Sequence, residues 1–251
     1  MNNYRNKFSK KGFLIFNSFL KSKEFKKTCI ELNQNLENIV SKTNLKKIGG
    51  FLMGNLNVYP GKYSKKFLDL LAKENFYEII ENITQKKRSE LVIRAGGNLV
   101  LPGKGDQHFH TDGNFNQKMY LASIATSNVT NENAPTEIVL DYHNNEIPYW
   151  KFLLKYKNKK KILLNQGDLV IRKHCLWHRG TINKSNKPRF QIAFLIFDNE
   201  KNNLRSNIKD GNAIIIKNNF FGNSLYENFK EILYIKFKFI FALYKIIKSF
   251  K

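Results

Sequence analysis

Gln107-His108-Phe109-His110-Thr111-Asp112-Gly113 follows a β-rich run, Leu91 to Leu101, and its reading decides the fold. Side chains two apart on an extended chain point to one side. His110 and Asp112 therefore converge and offer a nitrogen and an oxygen to one ion. A third ligand has to come from elsewhere in the chain. His178 is the best placed, directly after the β-rich run Asp168 to Lys173. Two imidazoles and one carboxylate on one side of a metal leave open positions opposite, the facial arrangement of non-haem iron(II) sites. Arg189 lies eleven residues after His178. A turn followed by a strand brings it back beside the metal, where a guanidinium binds a carboxylate through two parallel hydrogen bonds.

Working outward, Met119 to Thr126, Thr136 to Asp141, Lys161 to Leu164, Asp168 to Lys173 and Phe190 to Phe197 read as further short strands. Gly, Pro and Asn punctuate them. Asn165-Gln166-Gly167-Asp168 reads as a tight turn between two strands. Before this core, the first 90 residues or so read as helical. Phe25, Cys29, Leu32, Leu36 and Ile39 recur at helical spacing from Phe19 to about Leu45, and a second stretch runs from about Ser64 to Ile83. Gly49, Gly50, Gly54, Pro60 and Gly61 mark loops between them. Asn199 to Asn212 reads as a polar linker. From Ser224 to Lys251 the chain is again helical, with Phe229, Ile232, Leu233, Phe237, Ile240, Tyr244 and Ile247 on one side and mostly Glu and Lys on the other. The expectation is a mainly β fold with flanking helices. It comprises a single domain over 1–223, with a helical part to about 90 and a β core over about 91–200, and an amphipathic C-terminal helix over 224–251.

Four motifs carry a resemblance to the phytanoyl-CoA dioxygenase-like branch of the iron(II)- and 2-oxoglutarate-dependent oxygenases. They are His110-Thr111-Asp112-Gly113, Asn133-Ala134-Pro135-Thr136-Glu137, Gly167-Asp168-Leu169-Val170, and the segment from His178 to Arg189 with Asn183 and Pro188. The resemblance spans roughly Leu91 to Phe197. It implies a double-stranded β-helix (jelly roll, cupin-like) core. It also implies iron(II), 2-oxoglutarate and dioxygen as cofactor and co-substrates, and hydroxylation of an unactivated carbon with release of succinate and CO2. His110, Asp112 and His178 take the metal, and Arg189 takes the far carboxylate of 2-oxoglutarate. Thr181 and Asn98 are further candidates for the co-substrate. Halogenating relatives lack the carboxylate ligand, so Asp112 points to hydroxylation or another oxidation. One departure concerns the substrate mouth. Where the family has a Pro-Gly-Ser-His loop, this chain reads Leu140-Asp141-Tyr142-His143, so the family's substrates do not transfer.

The bland readings of the other residues are structural. His108, His143 and His174 are assigned structural or solvent-facing roles, and Trp177 a place in the core. A hydrophobic fraction of 42% supports a packed core. The formal charge is +23, from 43 basic and 20 acidic residues, which draws anionic partners. The same surplus also follows from a composition rich in Lys throughout. A basic nucleic-acid-binding protein and an inactive jelly-roll binding protein stand as alternatives. The chain shows no nucleic-acid motif, and charge alone is a poor warrant. Cys29 and Cys175 make no disulfide framework, and no run reaches the length of a spanning helix. The expected partners are a small-molecule or lipid substrate and, through the C-terminal helix, an anionic membrane surface. The expected location is the cytoplasm, peripheral to a membrane.

Overall fold

The computed structural model describes residues 4–50, 52–103, 105–113, 115–140, 142–198, 211–218 and 221–248. The linker read over Asn199 to Asn212 lies, as far as residue 210, outside the described residues. After helix α1 (Tyr4–Lys11) come strand β1 (Phe13–Phe16), helix α2 (Lys23–Lys42), strand β2 (Asn55–Tyr59) and helices α3 (Tyr63–Ala72) and α4 (Phe76–Thr84). The core then runs β3 (Leu91–Val100), β4 (Met119–Ala125), β5 (Thr136–Val139), α5 (Tyr149–Lys155), β6 (Lys159–Ile162), β7 (Leu169–Lys173), β8 (His178–Gly180) and β9 (Arg189–Asp198). Strand β10 (Ile215–Lys217) and helices α6 (Leu225–Lys236) and α7 (Lys238–Lys248) follow.

Two antiparallel sheets face each other. The larger has the order β1-β7-β4-β9-β3-β2-β10 and the smaller β6-β5-β8. The segment 107–110 extends the smaller sheet. Gln107 N donates to Gly180 O, and His110 and His178 exchange both backbone hydrogen bonds, at 2.9 and 3.0 Å. Strand alternation divides the larger sheet's side chains between two cores. Ala122, Ile124, Leu169, Ile171, Phe190, Ile192, Phe194 and Ile196 pack with Phe25, Leu32, Phe67 and Ile80 of α2–α4. Each Leu, Ile or Phe among them, fully buried, stabilises the fold by about 1.5–3 kcal/mol. Ala125 and Val170 point the other way and meet Ile138, Ile162, Leu164 and Leu176 between the sheets. The middle row of that inner face is small. Gly96 lies opposite Ala193, and Ala193 opposite Ser123.

Several expectations change. The N-terminal part contains β1 and β2 as well as helices. The stretch Ser64 to Ile83 is two helices, parted before α4 by Asn75 in the left-handed region at φ 52°. The turn at 165–168 forms, with Asp168 N donating to Asn165 O at 3.0 Å. It joins strands of different sheets, however, so it is a crossover rather than a hairpin. The Asp168 carboxylate braces it by accepting from the amides of Asn165 and Ser18 at 2.8 and 2.7 Å. The C-terminal segment is two helices, broken at Phe237, where φ is −115° and ψ 57°.

Candidate metal and co-substrate site

His110, Asp112 and His178 come together at the open end between the sheets. Their ligand atoms all lie within 4.8 Å of one another. The backbone pairing of His110 with His178 places the two rings side by side, centroids 4.5 Å apart. Asp112 is held by its amide, which donates to His174 O at 3.0 Å. Both histidines are locked in the tautomer a metal needs. His110 Nδ1 lies 2.8 Å from His108 O, and His178 Nδ1 lies 2.9 Å from Leu176 O. A carbonyl only accepts, so each Nδ1 carries the hydrogen and each Nε2 keeps its lone pair. The two Nε2 atoms and Asp112 lie 3.9 and 3.5 Å apart. This donor set fits a divalent ion of the iron type.

The electrostatics agree. Burial pushes His178 down to about 3, and the charge of Arg172 adds to this. Burial also lowers His110, against the pull of Asp112. Both rings are therefore neutral at ordinary pH. Burial works to raise the Asp112 carboxyl, but the charge of Arg172 and its hydrogen bond override it. The carboxyl is held far below its usual range. The Asp112 side chain keeps 25% of its surface accessible, which leaves a way in.

Arg172 is the site residue that sequence reasoning missed. Its Nη2 donates to Asp112 Oδ2 at 2.6 Å and lies 3.3 Å from His178 Nε2, while its buried Nη1 has no partner. The signal was strand parity. Arg172 shares a face with Val170, and that face looks between the sheets.

Arg189 opens β9 on the same inner face, opposite Val100. It is 4% exposed, its Nη1 donates to Gln191 Oε1 at 3.2 Å, and its Nε has no partner. Burial alone lowers it, to about 10. No carboxylate of the described residues pairs with it. A buried guanidinium without a counter-charge is costly, and a bound carboxylate would relieve that cost. The turn that delivers Arg189 is tied by Asn183. Its Nδ2 donates to Val100 O and Lys187 O at 3.1 and 2.8 Å, and its Oδ1 accepts from Ser185 Oγ at 2.7 Å. Asn98 lies opposite Gln191 in register, so it shares the inner face with the Arg189–Gln191 pair. Thr181 is buried, and its hydroxyl donates to Pro135 O at 2.7 Å; its one hydrogen is directed there and not towards Arg189.

The remaining histidines are structural. His143 Nε2 lies 2.9 Å from Ser9 O, and His174 Nδ1 lies 2.8 Å from Met119 O. Trp177 stacks on Phe152, centroids 3.9 Å apart. His108 is gripped by α6. Its amide donates to the Tyr234 hydroxyl at 2.6 Å, and its Nε2 lies 2.8 Å from Tyr234 O. The C-terminal helices thus hold the residue whose carbonyl orients His110.

No family model matches the chain, and no curated protein matches it in sequence. Solved structures match its fold. The epimerase SnoN, in complex with Fe3+, α-ketoglutarate and nogalamycin RO, superposes with a TM-score of 0.63 at 12% identity, over 78% of this chain and 82% of SnoN. AviO1 from Streptomyces viridochromogenes Tue57 gives 0.63 at 15% identity, over 79% of this chain and 95% of its own. EctD from S. alaskensis with bound Fe gives 0.61 at 12% identity, over 79% and 76%. At these identities the likeness establishes the fold, a cupin-like double-stranded β-helix flanked by helices.

Proposed function

We propose that this chain is a non-haem iron(II)- and 2-oxoglutarate-dependent dioxygenase of the phytanoyl-CoA dioxygenase-like type. One observation carries the reading. Two imidazole lone pairs and an ionised carboxylate meet within 4.8 Å, on the same side of the sheet as a buried arginine that has no counter-charge. SnoN and EctD, of the same fold, hold iron, and SnoN holds α-ketoglutarate as well. Iron with 2-oxoglutarate and dioxygen supplies the oxidising chemistry.

The protein's part is to bind, orient and shield. His110, Asp112 and His178 would hold the metal, their geometry set by the carbonyls of His108 and Leu176 and by Arg172. Arg189 would take the far carboxylate of the co-substrate, with Asn98 and Gln191 beside it, whereas Thr181 is committed to Pro135 O. The small row Gly96, Ala193 and Ser123 lies on the same inner face as Arg172 and Arg189. For the outcome we propose hydroxylation of an unactivated carbon with release of succinate and CO2. SnoN is an epimerase, so the fold alone does not choose it. The substrate we assign is a small molecule or lipid, and the location the cytoplasm, with peripheral contact to an anionic membrane through the C-terminal helices.

The test is iron-dependent succinate formation from 2-oxoglutarate across a panel of candidate substrates, with His178→Ala as the control. Coupled product with the native chain and none with the variant supports the reading. Tight iron binding with no turnover on any substrate would favour an inactive binding protein.

A further inference from the structure

We infer that the prime substrate is an organic acid, its anionic head held by Arg172 and its apolar body laid across the adjoining strands. The inference rests on the oxygenase reading and narrows its substrate.

Strand register supplies the frame. Arg172 of β7 lies opposite Leu121 of β4, Leu121 opposite Leu195 of β9, and Leu195 opposite Arg94 of β3. All four stand on the inner face, because their neighbours Ile171, Ala122, Phe194 and Ala95 pack on the helical side. One step outward on the same face, Met119 lies opposite Phe197, and Phe197 opposite Val92. Leu195, Phe197 and Val92 keep part of their surface open. The row is therefore apolar in its middle and has an arginine at each end. The two arginines are three strands apart, roughly 14 Å at the usual strand spacing. Arg189 opens β9, whereas Leu195 and Phe197 lie near its far end, so the row is set apart from the seat proposed for the co-substrate.

Arg172 is the end of the row that adjoins the metal ligands. Its side chain is 12% accessible, and its Nη2 donates to Asp112 Oδ2 at 2.6 Å. Its buried Nη1 has no hydrogen-bond partner among the described residues. A buried donor of a charged group is costly to leave unpaired, and an anionic oxygen is the acceptor that offsets this best. The charges of the loaded site agree. A divalent ion with Arg172 and Arg189 outweighs the Asp112 carboxylate and the co-substrate dianion. One further anion brings the cavity towards neutrality, and a surplus buried charge is unfavourable. A neutral substrate would leave Nη1 unsatisfied, and an acid without an apolar part would leave Leu195 and Phe197 uncovered.

The test is calorimetric and needs no turnover. The full chain, anaerobic and saturated with iron(II) and 2-oxoglutarate, is titrated with octanoate, with octyl phosphate and with neutral octanamide. We expect at least one acid to bind roughly tenfold or more tightly than the amide, and the two heads show which acid group fits. Arg172→Leu, its fold checked by circular dichroism and its iron(II) raised to saturation, should abolish the preference. Arg172→Lys should restore part of it, and Arg94→Leu should keep most of it. Iron and 2-oxoglutarate titrations of the same samples report separately on the oxygenase reading, and failure of either would overturn that reading and the inference with it. Normal binding of both, with the acids bound no better than the amide, would overturn the substrate assignment alone. So would a preference that survives in Arg172→Leu or is lost in Arg94→Leu, since the head would then sit elsewhere.

Discussion

Arg189 and Arg172 carry most of what the site can do beyond its metal ligands, and they are in opposite situations. Arg189 is buried with a single neutral partner, Gln191. A carboxylate there would gain a charge-assisted contact of about 1.5–3 kcal/mol. Arg189→Met should raise the 2-oxoglutarate dissociation constant by roughly tenfold or more. It should leave the co-substrate-free protein as stable as before, or more so, because it removes an unpaired buried charge. Titration calorimetry and thermal midpoints check both halves. Unchanged co-substrate affinity with a lowered midpoint would make Arg189 a structural residue. Arg172, in contrast, already has its carboxylate, Asp112, at 2.6 Å. Outer partners of metal ligands typically control affinity by about 10–100-fold. Arg172→Leu should weaken iron(II) binding within that range, and Arg172→Lys should recover part of it. Equal affinities for all three would show that Asp112 orients itself.

The elements show why some of this was legible and some was not. The metal motif could be read because its chemistry needs rare residue types at fixed spacing. His178 could be found because it follows an apolar strand. Strand β8, which carries His178, is three residues long; it pairs with β5 on one side and meets His110 through a backbone bridge on the other, pairings that no local pattern announces. Strand β2, Asn-Leu-Asn-Val-Tyr between Gly54 and Pro60, has two apolar positions facing the helices and reads as part of a loop. Arg172 gains its place at the site only once β7 is seen to have an inner face. Gly167 shows the reverse. Its φ is +91°, and an added Cβ would lie 1.9 Å from Leu20 O, so this motif position needs glycine for a reason only the fold supplies. The C-terminal stripe was legible as amphipathic, yet its anchor is polar. Buried Glu231 accepts the Met53 amide at 2.8 Å, next to Tyr234 on His108. Glu231→Ala should cost about 1–3 kcal/mol by leaving that amide without its acceptor. Amide exchange should rise in α6, in α7 and at residues 107–110. Faster exchange confined to α6 would show that the C-terminal helices do not support the His108 segment.

At the scale of the whole molecule, helices α2–α4 cover one face of the larger sheet, and the smaller sheet covers the other. The site opens where the sheets part, and α6 and α7 close one flank. Stability and metal binding are coupled through the buried rings. His178 falls from 6.5 to about 3 on folding, because burial disfavours its charged form. Between those values the unfolded chain binds a proton that the folded chain does not. Metal-free stability should therefore fall as pH drops below about 6.5, by roughly 1.4 kcal/mol per unit while this group titrates, and level off near 3. Thermal midpoints across that window check it, and His178→Phe should flatten the slope. The central claim is that His110, Asp112 and His178 form one iron site. The most direct measurement is an anaerobic calorimetric titration of the native chain and of His178→Ala with iron(II), repeated with 2-oxoglutarate present. The account predicts one iron per native chain, tighter with 2-oxoglutarate, and no comparable binding by the variant. Iron binding of equal affinity and stoichiometry in both proteins would contradict it.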